Sequence, residues 1–209
     1  RLGDVFVQDA FGVIHRPHAS ISGLPRLLPS YGGLLLKKEL GALRPIANHP
    51  HRPFVVVMGG AKISTKLHLL KAFVKRADRV LIGGVLANTV LAALHFPVGK
   101  SLIEKEMIPV IRKIASEDHK LLFPRDVIVA RRPGDRKVSG KSIREIAKNE
   151  MILDIGVETR RVFIKELKGA KTIFWNGPLG LTEKKAFSGG TLAVAKGIQR
   201  TRAYKVIGG

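Results

Sequence analysis

Two lysines beside a pair of glycines are the residues of this chain whose spacing most directly suggests chemistry. Gly59-Gly60 follow the apolar run 54–57, and Lys62 and Lys66 stand four residues apart before an amphipathic stretch. This order predicts a strand, a glycine turn and the start of a helix. Glycines let a phosphate approach the backbone, and a helix N-terminus adds free N–H donors and a positive dipole end. The segment therefore predicts binding of a nucleotide's phosphates, with a turn that serves only packing as the alternative.

The spacing differs from two familiar phosphate motifs. A Walker A loop has a longer glycine spacing that ends in Lys-Ser or Lys-Thr, and the dinucleotide fingerprint has a third spaced glycine. The segment 58–66 contains neither pattern. A dehydrogenase-like dinucleotide domain is therefore disfavoured.

Similar glycine turns recur after other short apolar runs. The runs 80–82, 172–175 and 205–207 lead to Gly83-Gly84, Asn176-Gly177-Pro178 and Gly208-Gly209. Helical stretches separate these runs, and strands that alternate with helices imply right-handed crossovers and a parallel sheet. Ligands of such sheets lie beyond the carboxyl ends of the strands. We therefore expect an α/β fold with all four glycine turns on one ligand-binding edge.

Three other segments complete the α/β pattern. The run 151–155 leads to Gly156 and a helix around 159–167, and we expect it to be another strand of the same kind. A last helix is expected from Glu183. The longest uncharged run, 80–98, approaches membrane length, but its glycine, asparagine and proline residues favour a buried strand, turn and helix. We expect no membrane partner.

The first fifty residues have a different pattern. Residues 5–11 are typical of a strand, and Gly32-Gly33 precede a good helix former over 34–43. Pro45 and Pro53 follow and separate this helix from the α/β part. We interpret the opening segment as the tail of another domain followed by a connecting helix.

The bulk composition is strongly basic. The 209 residues include 37 Lys and Arg against 16 Asp and Glu, for a formal net charge of +21, and no cysteine. Such an excess attracts polyanions, but the densest stretch, 131–148, has no interleaved aromatic residue for base stacking. We expect a solvated basic face and no sequence-specific nucleic-acid binding. The lack of cysteine excludes thiol chemistry and fits a reducing compartment.

Five separated blocks resemble phosphoglycerate kinase, in that family's order and spacing, along essentially the whole chain. The blocks are 2–12 with 15–20, 33–40, 59–62 with Lys66, 175–180 with Glu183, and 206–209. The resemblance implies a three-layer Rossmann-like parallel sheet with helices on both faces, plus a remnant of a second α/β domain. It divides the chain into an N-terminal substrate-domain remnant (1–31), an interdomain hinge helix (32–47) and a C-terminal nucleotide-binding domain truncated at its end (48–209).

The resemblance also implies a reaction. This is reversible phosphoryl transfer between 1,3-bisphosphoglycerate and ADP, which gives 3-phosphoglycerate and ATP in glycolysis, with Mg²⁺ carried on the nucleotide. Transfer is in line, so catalysis rests on positioning and charge stabilisation. Lys62 is then the catalytic partner of the migrating phosphoryl group, and Arg16 clamps the glycerate substrate.

A wider set of residues is implied to bind the nucleotide. Lys66 would hold phosphates as a point charge, with Asn176 near them, and Glu183 would accept hydrogen bonds from the ribose. Gly83 and Gly84 would let adenine lie close to the backbone. The full implied nucleotide-binding set is Gly59, Gly60, Lys62, Lys66, Gly83, Gly84, Asn176, Glu183, Gly208 and Gly209.

The chain departs from the family pattern in several places. Gln8, Thr65 and Val157 stand where Asn, Asp and Pro are usual, and Thr65 alters the charge balance beside Lys66. Most of the N-terminal domain is missing with its substrate motifs, and the aspartate expected to hold magnesium would follow Gly209, so no metal ligand is expected in this segment. We interpret the sequence as part of a longer reading frame. We expect this part of the protein alone to bind nucleotide without turnover.

Two hypotheses about the function remain. The first is the nucleotide-binding part of a cytoplasmic, monomeric phosphoglycerate kinase, with ADP or ATP and 3-phosphoglycerate or 1,3-bisphosphoglycerate as partners. The second is a basic, non-catalytic module that keeps the kinase fold and uses its charge on nucleic acid. The flanking sequence of the parent gene would separate them.

Overall fold

The computed structural model describes residues 3–117, 119–135 and 137–208. The chain divides into two compact units, Arg1–Pro50 and His51–Gly209. We call them unit 1 and unit 2 and describe each by itself.

Unit 1 combines a small parallel sheet with one long helix. Strands β1 (Phe6–Gln8) and β2 (Ser30–Gly32) pair in parallel, and β2 was not predicted from the sequence. Helix α1 (Leu34–Asn48) begins where the side chain of Asp9 accepts a 2.8 Å hydrogen bond from Leu36 N–H. The helix extends past residue 43, where the sequence pattern ended it, and continues through Pro45. Pro45 lies in the last turn of the helix, where it removes one backbone donor, and that turn is retained, with His49 N–H bonded to Pro45 O.

Unit 2 alternates strands and helices along most of its length. Its elements are β3 (Phe54–Met58), α2 (Leu67–Arg76), β4 (Arg79–Ile82), α3 (Gly84–Ala93), α4 (Ile108–Glu117), β5 (Leu121–Leu122), β6 (Asp126–Ala130), β7 (Ser139–Ser142), β8 (Met151–Ile155), α5 (Val157–Lys168), β9 (Thr172–Asn176), α6 (Gly189–Gln199) and β10 (Tyr204–Gly208).

The main sheet confirms the predicted parallel α/β architecture. Its strand order is β10-β9-β3-β4-β5, and all neighbours pair in parallel. Helices cover both faces, so its inner strands are apolar throughout. On one face Val55 and Val57 pack with α5 and α6. On the other, the Phe73 ring of α2 lies between Phe54 and Phe174, with centroid distances of 5.9 and 4.8 Å.

A second sheet corrects one prediction. Strand β8 does not join the parallel sheet but pairs antiparallel with β6, which also pairs antiparallel with β7. An apolar run shows that a strand is buried, but its periodicity does not reveal the direction of its partner. The carboxyl end of β8 nevertheless leads into α5 as expected, and Asp126 of β6 accepts the N–H groups of Glu158 and Thr159 at the helix start.

The last helix also begins later than predicted. Glu183 lies in a turn closed by the hydrogen bond from Lys184 N–H to Leu181 O, and α6 starts at Gly189. The run 80–98 forms the predicted strand and helix. Within the residues described, no helix has both the length and the apolar character needed to cross a bilayer.

Candidate functional site

Glycine turns meet at the carboxyl edge of the parallel sheet, as predicted. Gly59 N–H donates to Asn176 O at 2.9 Å, and Gly60 N–H donates to Pro178 O at 2.8 Å. Gly84 N–H donates to Leu179 O at 3.0 Å, which ties the turn after β4 to the turn after β9. These turns therefore form one hydrogen-bonded rim.

Close packing of backbone on backbone explains why small residues occupy this rim. A Cβ atom on Gly59 would overlap the carbonyl oxygen of Pro178, and one on Gly83 would press on Leu179. The indole N–H of Trp175, which is buried, donates to Gly177 O at 2.7 Å and fixes the turn after β9.

Lys66 lies where two of these turns converge. Its ammonium group donates to Gly59 O at 2.9 Å. Gly60 and Gly177 both have positive φ, of 100° and 81°, a region open mainly to glycine. A Cβ on either glycine would lie 2.8 Å from Lys66 Nζ, so both positions leave room for the ammonium group. Partial burial lowers the pKa of Lys66.

The helix start beside Lys66 differs from the prediction. A short 3-10 turn over Ser64–Lys66 precedes α2, and Lys66 is the N-cap residue. The carboxylate of Glu104 accepts hydrogen bonds from Ile63 N–H at 2.6 Å and Ser64 N–H at 3.0 Å. These two donors are therefore used within the protein and not left for a phosphate. Glu104 lies forty residues further along the chain, and no local pattern pointed to it.

Lys62 is exposed in the segment between β3 and α2. It does not line the cavity described below. Its side chain is exposed to solvent, whereas that of Lys66 is half-buried. Thr65, one of the departures from the family pattern, donates its hydroxyl to Lys62 O at 3.1 Å. Its hydroxyl therefore serves the local turn.

A mostly apolar cavity of about 290 Å³ opens beside the glycine rim. Among the predicted site residues, Gly60, Gly84 and Glu183 line it. The other lining residues are Ala61, Val85, Ala87, Asn88, Leu102, Pro124, Val127, Pro133, Met151, Ile152, Leu153, Asp154, Ile155, Pro178, Leu179, Gly180 and Leu181. Sequence reasoning missed the wall formed by β8, because that strand was assigned to the parallel sheet.

Asp154 is a charged group of this wall that the sequence did not reveal. Its side chain is 0% exposed. It accepts hydrogen bonds from Gly190 N–H at 2.7 Å, Ile155 N–H at 2.8 Å and the Arg160 guanidinium at 3.1 Å. Burial raises the pKa of Asp154 to about 6, against the lowering effect of Gly190 N–H, Arg160 and Ile155 N–H. This carboxylate joins β8, α5 and the start of α6 behind the cavity.

Asn176 ends β9 between the glycine turns, and its backbone pairs with Met58 and Gly208. Its side-chain Oδ1 is buried and has no hydrogen-bond partner among the residues described. Because an unsatisfied buried polar atom costs about 1–3 kcal/mol, this acceptor at the end of β9 is a reason to expect a hydrogen-bond donor or a cation there.

The remaining predicted residues are more scattered. Gly208 ends β10, and its carbonyl accepts from Gly177 N–H at 3.3 Å, whereas Gly209 lies outside the described residues. Arg16 belongs to unit 1, where it is exposed. Gln8 accepts a hydrogen bond from Ala10 N–H, and Val157 is the first residue of α5.

In residues 3–117, 119–135 and 137–208, no group of three or more acidic or histidine side chains could hold a metal ion.

This arrangement defines unit 2 as an α/β domain with a cavity at the carboxyl edge of its parallel sheet, the edge where ligands of such folds bind. The sequence profile of phosphoglycerate kinase matches residues 1–209. The chain therefore belongs to the phosphoglycerate kinase family, which confirms the resemblance seen in the sequence.

Comparisons with individual proteins agree with this assignment. The chain is 46% identical over 214 residues to phosphoglycerate kinase of Desulfosudis oleivorans, covering 100% of this chain and 54% of that protein. Its identity to a phosphoglycerate kinase of Thermus thermophilus is 43%, covering 100% of this chain and 55% of the relative. The solved Coxiella burnetii phosphoglycerate kinase superposes with a TM-score of 0.90 at 40% identity, covering 100% of this chain and 55% of that one. The chain thus spans about half the length of the relatives it matches.

Proposed function

We propose that this chain is the nucleotide-binding half of a phosphoglycerate kinase. The whole enzyme would transfer a phosphoryl group reversibly between 1,3-bisphosphoglycerate and ADP, in the cytoplasm and as a monomer. The observation that carries the proposal is the position of Lys66, whose ammonium group lies between two glycine turns at the sheet edge where ligands of such folds bind. The family match disfavours a purely nucleic-acid-binding module.

The cavity and its rim suit the parts of ADP or ATP differently. The apolar walls and the close-lying backbone of Gly83 and Gly84 would hold adenine. Glu183, exposed at the cavity, would accept hydrogen bonds from ribose hydroxyls. Lys66, the amide of Asn176, and the turns of Gly59, Gly60, Gly208 and Gly209 would face the phosphates.

Phosphoryl transfer of this kind needs positioning and charge stabilisation, without a covalent intermediate on the protein. Lys62 is exposed and free of the packing that holds Lys66, so it can move to the migrating phosphoryl group. Arg16 would clamp the carboxylate or phosphate of 3-phosphoglycerate with a bidentate fork.

The magnesium ion would arrive with the nucleotide. Mg²⁺ in kinases commonly takes most of its ligands from phosphates and water, with one or two carboxylates. The cation at Lys66 fits a phosphate-bearing ligand. The unpartnered Asn176 Oδ1 is an acceptor, so it would suit the ion or one of its bound waters rather than a phosphate oxygen. The bound ion would neutralise developing charge on the phosphates.

Nucleotide binding by this chain can be tested directly. ADP, ATP and NAD⁺ are titrated into it by calorimetry at two salt concentrations. We expect one site for ADP and ATP, no binding of NAD⁺, and a modest loss of affinity with salt, because a nucleotide makes few ionic contacts. Binding of NAD⁺ in preference to ATP would contradict the proposal.

Kinase turnover distinguishes this chain from the whole enzyme. We expect no turnover of ATP and 3-phosphoglycerate by the chain alone in a coupled assay with Mg²⁺, because positioning both reactants supplies about 7–11 kcal/mol of the barrier reduction. Turnover by the chain that Lys62→Ala abolishes would show that one half suffices and that this account of positioning is wrong.

A further inference from the structure

The opposite, amino edge of the parallel sheet collects basic side chains. Arg52 precedes β3, Arg79 opens β4, Lys171 precedes β9 and Arg202 precedes β10. The register aligns these strand starts, since Tyr204, Thr172 and Phe54 are partners across three strands and Val55 pairs with Arg79. With neighbouring strands about 4.8 Å apart, the four cations span about 14 Å along the edge.

Two more lysines come to this edge from a helix. Helix α5 runs from the carboxyl edge to the amino edge, and Lys165 and Lys168 lie in its last turn. We name the set Arg52, Arg79, Lys165, Lys168, Lys171 and Arg202 the amino-edge surface; each of its members is exposed.

The acidic groups described at this surface are already paired. Asp78 forms an ion pair with Arg52, and Glu166 lies 3.3 Å from Arg79. The two arginine side chains remain 60% and 45% exposed. An open groove of about 550 Å³ runs between them, lined also by Lys165 and Gly169. The surface therefore keeps an excess of positive charge after its carboxylates are counted.

The helix dipole explains only some of the basic residues of the amino-edge surface. Lysines at a helix C-terminus are favoured by the helix dipole, which accounts for Lys165 and Lys168. A β-sheet has only a small net dipole, and in a parallel sheet its positive end lies at the amino edge, so it gives Arg52, Lys171 and Arg202 no such reason to be basic.

We propose that the amino-edge surface binds the phosphate backbone of nucleic acid without regard to sequence. Duplex DNA carries one charge per about 1.7 Å with both strands counted, so about 14 Å of it carries about eight phosphates, part of which would face these cations. The spread of cations along an open groove suits a linear polyanion better than a compact one. Tyr204, 40% exposed at the start of β10, offers a ring for stacking on an unpaired base.

An anionic membrane fits these observations less well. Surface-bound proteins usually insert apolar side chains beside their basic groups. Among the residues that the structure describes at this edge, Tyr204 alone is both large and exposed among the apolar side chains. Tyrosine also has a polar end, and no leucine or phenylalanine cluster accompanies it there.

The test compares two variants with equal charge. The edge variant carries K165Q, K168Q, K171Q and R202Q and leaves the ion-paired Arg52 and Arg79 intact. The control variant carries K105Q, K113Q, K148Q and R131Q, all exposed and outside the amino-edge surface. Fluorescence anisotropy measures binding of labelled 20-nucleotide DNA and RNA single strands and a 20-base-pair duplex from 50 to 200 mM salt. ATP binding and binding to phosphatidylserine vesicles are measured beside it.

We expect the edge variant to lose about tenfold or more in nucleic-acid affinity at 100 mM salt, with a salt slope for the duplex reduced by about 3. The control variant should change less than threefold, and ATP affinity should stay the same in both. Equal losses in the two variants would attribute binding to net charge and overturn the proposal. Loss of vesicle binding alone would also overturn it in favour of a membrane.

Discussion

The two edges of one parallel sheet use positive charge in opposite ways. At the carboxyl edge, glycine turns bring backbone groups together around one half-buried lysine, Lys66, whose ammonium group is already hydrogen bonded. At the amino edge, arginine and lysine side chains are exposed along an open groove. The first edge fixes a single cation in a defined position, and the second spreads several cations over a surface.

This difference shows what kind of ligand each edge can select. A fixed cation beside a shaped apolar cavity discriminates by shape, because a ligand must fill the cavity and present an anion at one point. A row of exposed cations discriminates by charge density and is screened by salt. The proposed nucleotide site would use few of the chain's positive charges, so it does not account for the strongly basic composition.

The largest expected effect contrasts one glycine from each edge. Gly59→Ala places a Cβ against Pro178 O, and we expect the free energy of unfolding to fall by about 3 kcal/mol, the upper end of the range for overpacking. Gly169→Ala at the amino edge meets no atom within 4 Å and has right-handed helical backbone angles. That variant should be unchanged or more stable by up to about 1 kcal/mol.

Urea denaturation followed by the fluorescence of Trp175, the one tryptophan of the chain, measures both variants. Equal stability of Gly59→Ala and Gly169→Ala would show that the carboxyl rim tolerates backbone movement. The contrast between a rigid and an open edge would then be lost.

A second effect concerns the buried carboxylate behind the cavity. Since burial raises the pKa of Asp154 to about 6 from 3.8, the native state binds this proton more tightly than the unfolded state. The stability from this group is present below about pH 4 and is lost as the pH rises through 6, a change on the order of 3 kcal/mol.

Asp154→Asn removes this titration. We expect the free energy of unfolding of the wild type, measured relative to the variant in urea at pH 4 to 7, to fall as the pH rises. A difference that stays constant, or that grows with pH, would mean that Arg160 and the two N–H donors outweigh the cost of burial.

The fold was largely predictable because its pattern is local. Apolar runs followed by glycine turns identified β3, β4, β9 and β10, and their common edge follows from the topology of parallel sheets. Strand β7 was missed because Ser139–Ser142 contains glycine, lysine and serine in place of a β-branched run. Pairing with β6 forms this strand, and tertiary contacts of this kind override propensity.

The site was less predictable than the fold, because its contacts join distant residues. Glu104 and Asp154 both accept backbone N–H groups from other segments. An isolated acidic residue in a sequence does not indicate which donors it meets in the folded chain. The roles of Lys62, Arg16 and Glu183 come from the family resemblance and stay predictions.

The central claim is that Lys66 holds the phosphates of a nucleotide at the carboxyl edge. Calorimetric titration of ATP into the wild type, Lys66→Ala and Lys71→Ala tests it, because Lys71 lies exposed on the same helix, α2. We predict that Lys66→Ala weakens binding by about 1.5–3 kcal/mol, the range for hydrogen bonds to charged groups, and that Lys71→Ala matches the wild type. Equal ATP affinity in all three proteins would contradict the account.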